Sequence, residues 1–282
     1  MKAKTQQRHR TALLLLPSLA MLAVVFVAPL AWLFIRILLV ESDPALLPDL
    51  LSEVVTSRAM MIAMATTNWI SLTVTATVLL IGYPVAYYLA TSRGLRFTIV
   101  IFCVIVPYFT SVIVRTYSWM VLLGRDGIVN QGLLGAGLID RPLPLIYNKF
   151  SITIGMAYVL LPYMVLTLYA AMKAIDPSLM RAATALGASG FYAFRRVYLP
   201  LSLHGILSGA LIVFILSIGF FITPALMGGP SDVMVAMLVE RAVEITLDWP
   251  SAAIMSLVLL AATLALYAVY CRVTDMRRLV EA

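Results

Sequence analysis

Six stretches, 12–35, 69–91, 97–123, 151–172, 201–222 and 251–270, run through this chain with a single charge among them, Arg115. Each is long enough to cross a hydrocarbon core of about 30 Å. No water reaches a backbone N–H or C=O at that depth, so each run is read as a helix despite its Val, Ile and Thr. With 62% hydrophobic and only 12% charged residues, a soluble globule is excluded. The expected fold class is an all-α polytopic membrane protein of six transmembrane helices.

Lysine and arginine set the orientation. With the N-terminus inside, the inner segments hold Lys2, Lys4, Arg8, Arg10, Arg93, Arg96, Lys173, Arg181, Arg195, Arg196, Arg272, Arg277 and Arg278. The outer connections hold most of the acids, from Glu41 to Asp248. The positive-inside rule therefore predicts both termini in the cytoplasm. The basic start resembles a signal peptide, but the first run exceeds a signal's apolar region and no small-x-small cleavage site follows, so it is read as an uncleaved span. The expected organisation is a cytoplasmic segment 1–11, one transmembrane domain 12–272 and a cytoplasmic tail 273–282. The outer connections 40–68, 124–150 and 223–250, rich in Pro, Gly and short apolar pieces, are expected to fold back over the membrane surface.

Within the inner loop 173–200, Asp176 before Pro177 marks a helix start, because the carboxylate accepts from orphan N–H groups and proline fits the first helical position. Gly187 marks the stop. Between them Leu179, Ala182, Ala183 and Leu186 follow i, i+3, i+4, i+7 spacing and form one narrow apolar stripe. So short a helix is marginal in water, and its stripe needs something to pack on. Two readings stand open: a lid on the protein's own cytoplasmic face, or a helix that docks into a groove of a separate subunit. Ser189 is expected to cap a second short helix in which Phe191, Phe194 and Tyr198 share a face.

The segment 175–189, IDPSLMRAATALGAS, continuing through FRRVYLPLSLHGI at 194–206, resembles the EAA loop of permease subunits of bacterial ABC importers. GYPVAYYLA at 82–90, VRTYSW at 114–119, LGRDGIVN at 123–130, PLPL at 142–145, TPALMGG at 223–229 and DWP at 248–250 are similar to the spermidine/putrescine-type branch, and to the first of its two permeases. The resemblance implies the type I importer permease fold and a non-catalytic transport subunit. It also implies a coupling helix formed by Asp176, Pro177, Leu179, Arg181, Ala182, Ala183, Leu186 and Gly187. The implied partners are an ABC ATPase dimer, a second related permease in a heterodimer and a periplasmic or extracellular solute-binding protein, all in or at the bacterial inner membrane and its lipid, with no role for nucleic acid. The implied cargo is a polyamine or a related small solute. No cofactor is expected on this chain: it has no GxxxxGK[ST] phosphate loop, so ATP and Mg would be handled by the ATPase. Arg181 replaces the family's usual Glu, which implies an acidic or neutral partner patch, and His204 replaces a common Pro.

Arg115 lies 18 residues beyond Phe97, about 27 Å along a straight helix, which places it near the outer interface as a snorkelling side chain or a pathway residue. Tyr117 and Trp119 beside it, and Pro107 and Pro162 as kink points, complete the candidate pathway or gate. Tyr83, Tyr87, Tyr163 and Tyr169 are further rings able to stack on a cationic cargo or to serve as interfacial belts. Cys103 and Cys271 lack any metal or disulfide spacing, as do His9 and His204. An ion-coupled secondary transporter is the alternative. It would be expected to carry an acid within a span, and none is present. A membrane-embedded enzyme would need a catalytic constellation at membrane depth, and none is visible.

Overall fold

A computed structural model describes residues 16–37 and 47–280, with side chains to 272, and among these residues there is no strand. The helices are α1 (Leu16–Ile35), α2 (Leu47–Thr56), α3 (Arg58–Thr91), α4 (Leu95–Ile105), α5 (Val112–Leu123), α6 (Ile128–Gly135) and α7 (Lys149–Lys173). They continue as α8 (Pro177–Ala185), α9 (Gly190–Ile218), α10 (Ile222–Met227), α11 (Val235–Glu244) and α12 (Trp249–Val280). Five of them (α1, α3, α7, α9 and α12) are long and apolar enough to span a membrane, and a bent pair from Leu95 to Gly135 makes a sixth candidate. The segment 1–11 and the connection 38–46 lie outside the described residues.

The core is the packing of α3, α7 and α9. Val74, Val78, Met156, Met164, Val165 and Leu168 are fully enclosed there. Two glycines set the closeness of α9 to α7. A Cβ on Gly205 would stand 2.5 Å from the Ala171 Cβ, and one on Gly209 would stand 2.7 Å from the Met164 sulfur. Their spacing is the small-xxx-small pattern that lets membrane helices approach, where lipid removes most of the hydrophobic drive. Hydroxyls in the spans turn back on their own helices: Thr75 Oγ1 donates to the Ser71 carbonyl at 2.7 Å, and Thr167 Oγ1 to the Tyr163 carbonyl at 2.8 Å. This satisfies them without a second chain.

The second span starts earlier than the apolar run at 69. Ser57 caps α3 by accepting from the Met60 N–H at 3.2 Å, and Met60 and Ala63 are buried against Val235 and Ala242 of α11 and Ala252 and Met255 of α12. Its 34 residues measure about 51 Å, so α3 outruns the hydrocarbon core on the outer side.

The third apolar run is not one straight helix. α4 ends at Ile105, residues Val106–Phe109 make a tighter turn, Thr110 and Ser111 are extended, and the two arms meet at 103°. Pro107 brings no N–H to the ladder, and its carbonyl is taken locally by the Thr110 N–H at 3.3 Å and hydroxyl at 2.8 Å. Pro84 and Pro162, by contrast, sit inside unbroken helices. The connections 124–150 and 223–250 are tied down by hydrogen bonds. Val235 N–H donates to Thr67 Oγ1 at 2.9 Å, which seats α11 on α3, and the buried Asn130 side chain clamps 124–143 by accepting from Leu143 N–H at 2.8 Å and donating to Gly124 O at 3.0 Å.

Candidate coupling surface and pathway residues

At the inner end, Asp176 Oδ1 accepts from the Ser178 N–H at 2.8 Å and Pro177 opens α8. The Ser178 bonds, aided by the Arg181 charge, hold the Asp176 carboxyl below its usual value. Gly187, at φ +88°, closes the helix, with its N–H on the Thr184 carbonyl and the Ala188 N–H on that of Ala183. Both caps match the expectation, and the Gly187 cap has the geometry of a left-handed C-terminal stop.

The stripe is not folded under as a lid. Leu179 is 44% exposed and Leu186 89% exposed, with Ala182 exposed beside them and only Ala183 half-buried. Met180, one position off the stripe, turns inward with Ile175 onto the core cluster. α8 is thus anchored through one face while its apolar stripe stays open. Ser189 caps the next helix as expected, accepting from the Tyr192 N–H at 3.3 Å. The shared face expected of Phe191, Phe194 and Tyr198 is only partly formed. Phe194 and Tyr198 stack at 5.9 Å across a π-helical turn and meet Tyr87 at 5.5 and 4.9 Å, whereas Phe191 is 75% exposed. The wider π turn brings residues four apart closer to one line and takes Phe191, a turn earlier, out of register. These rings join the loop to α3, where Tyr83 Oη also lies 2.9 Å from Ser202 Oγ.

The pathway candidates divide. Arg115 is only 8% exposed, and its Nε and Nη1 are buried without a hydrogen-bond partner. The third run bends by 103° at Pro107, so the length counted along a straight helix from Phe97 does not give the depth of Arg115. Thr116 beside it meets Thr223 of α10 at 3.2 Å, and Ser151 Oγ of α7 donates to the Met227 carbonyl at 2.7 Å, so α10 is wedged between α5 and α7. Trp119 packs edge-on against Tyr158 at 5.7 Å, Tyr163 against Tyr108 at 5.7 Å and Tyr169 against Phe97 at 5.7 Å. Tyr117 is exposed and Pro162 is buried in the core. The sequence reading did not single out the buried hydroxyls of Thr67, Thr116 and Thr223, which tie distant helices together, since Thr is unremarkable in an apolar run.

Among the described residues, no group of three or more His, Cys, Asp or Glu could hold a metal ion. The helical bundle, the broken third run and the capped, open helix in the basic loop are those of a polytopic membrane protein. Comparison with known proteins agrees. The family model of the binding-protein-dependent transport system inner membrane component matches residues 78–275, and the chain belongs to that family.

It is 34% identical over 211 residues, 74% of each chain, to the spermidine/putrescine transport system permease protein PotB of Haemophilus influenzae. It is 34% identical over 189 residues to PotB of Escherichia coli, covering 67% of this chain and 69% of that one. A probable molybdenum ABC transporter permease of Haloferax volcanii is 30% identical over 183 residues, 64% of this chain and 62% of that one. Among solved structures, the fold is similar to a chain of a bacterial ABC transporter that imports the acidic polysaccharide alginate: TM-score 0.63, 18% identity, 96% of this chain and 98% of that one. A chain of a bacterial alginate ABC transporter in complex with an alginate pentasaccharide-bound periplasmic protein gives TM-score 0.65 at 16% identity, over 96% of this chain and 95% of that one. The chain is a permease subunit of a binding-protein-dependent importer with the type I permease fold.

Proposed function

We propose that this permease forms half of the pathway of an ATP-driven polyamine importer and takes its motion from a separate ATPase dimer through α8. The observation that carries the coupling is the exposure of Leu179 and Leu186 on a helix capped at both ends and anchored by Met180. Such a stripe costs free energy in water and is stabilised in an apolar groove. The anchor gives any push on α8 a path to α3 and α9 through Tyr87, Phe194 and Tyr198. ATP and Mg belong to the partner, which presents an acidic or neutral patch to Arg181.

A second, related permease completes the pathway, and a solute-binding protein rests on the outer connections. The polyamine cargo is supported by the names of the PotB relatives and by the quoted motifs. Arg115 then lines or gates the pathway instead of binding a polycation directly, since like charges repel. Purification from native membranes in mild detergent tests the coupling. A P-loop ATPase should come down with the wild-type chain, and Leu179→Asp combined with Leu186→Asp should release it. A chain that purifies alone, with uptake following an ion gradient, refutes the proposal.

A further inference from the structure

Behind α8 lies a cleft of about 460 Å³, bounded by the inner ends of α3 and α7 and by α8 itself. That volume lies in the range of small-ligand sites. Its wall is apolar and aromatic, made largely by Tyr87, Ala90, Met172, Met180 and Tyr198. Its rim is charged: Arg93 follows the end of α3, Lys173 ends α7, and Asp176 caps α8. Neither Arg93 nor Lys173 forms an ion pair among the described residues. The Asp176 carboxylate is engaged by Ser178, so the rim keeps one positive charge in excess. Tyr198 contributes its ring to the wall; it is 6% exposed, and its hydroxyl is sealed inside, away from the opening.

We infer that this cleft binds the phosphate headgroup of an anionic membrane phospholipid. Arg93 and Lys173 hold the phosphate, and the glycerol end of the acyl chains lies along Met180. The site is at the inner interface, where basic residues meet anionic headgroups. An occupied cleft would tie the inner face of α8 to the bilayer while leaving Leu179 and Leu186 free. The assignment does not depend on the cargo or on the ATPase.

The test uses the full-length chain, stripped of lipid in detergent and titrated with phosphatidylglycerol, with bound lipid counted by native mass spectrometry. One tightly held phosphatidylglycerol per chain is expected. Arg93→Gln with Lys173→Gln should weaken it by about thirtyfold, at about tenfold in affinity per 1.4 kcal/mol and about 1 kcal/mol per cation. Tyr198→Phe keeps the ring wall and removes only a sealed hydroxyl, and should leave binding unchanged. Arg93→Lys with Lys173→Arg keeps both charges and should retain the lipid, which separates charge from misfolding. Arg195→Gln with Arg196→Gln removes the same charge from the same side, outside the cleft, and should also leave binding intact. Retention of the lipid by the Arg93 and Lys173 glutamine variant would overturn the inference. So would equal loss in the Arg195 and Arg196 variant, or full displacement by equimolar inorganic phosphate, which would mark a site for a soluble anion.

Discussion

The interior of the bundle and the helix α8 solve opposite problems. Where α3, α7 and α9 meet, helices are held so close that Gly205 has no room for a Cβ, and the side chains around it are sealed. α8 is nine residues long, capped at both ends, and leaves Leu186 almost fully exposed. The first region spends its residues on packing, the second on remaining available. Arg115 is the exception inside the bundle, a buried guanidinium where packing alone would place an apolar side chain. The difference teaches where substitutions should cost stability and where they should cost only transport.

Gly205→Ala probes the interior and should have the largest effect on stability. The added methyl meets the Ala171 Cβ rather than the end of a flexible chain, so overpacking should cost about 1–3 kcal/mol, read as a lower unfolding temperature in detergent. An unchanged unfolding temperature would show that α9 can slide, and would remove the contrast. Arg115→Met tests the exception. It removes an unpaired buried charge, so the unfolding temperature should hold or rise, while uptake in proteoliposomes should fall by about tenfold, the scale of one charge-assisted contact. A less stable variant that still transports would make Arg115 a structural residue with an acceptor in the assembled importer.

The smallest effect concerns the cap of α8. The Asp176 carboxyl is held below its ordinary value, so its contribution is fully present above the unfolded carboxyl's value of about pH 4 and is lost as pH falls through the lower folded value. Amide exchange at Ser178, corrected for intrinsic rate, should stay flat from neutral pH to about pH 4 and rise below it. Asp176→Ala should show the raised rate throughout. Protection that persists in Asp176→Ala would mean that α8 is ordered by Met180 alone, which narrows the contrast with the interior to one of exposure.

Much of this is legible in the chain itself. Asp176–Pro177 and Gly187 announce α8, because capping depends on neighbours within one turn and no distant contact alters that need. Apolar runs announce spans for a similar reason: backbone groups in hydrocarbon have no partner but their own helix. What fails is anything that depends on direction in space. Pro84, Pro107 and Pro162 are the same residue in similar runs, yet only Pro107 stands where the helix breaks. Phe191 carries the spacing of a shared face, and a π-helical turn that no local signal marks takes it out of register.

The sequence by itself therefore determined the helical nature of the spans, the capped helix of the loop 173–200, and the family. Tertiary structure alone decided that Arg115 is buried, that Met180 rather than Leu179 turns inward, and that Tyr198 forms part of a cleft behind α8. The physical reason is one of range. Caps and hydrocarbon burial act within a turn or along one helix, whereas depth, facing and enclosure follow from how helices distant in sequence bend and pack against one another.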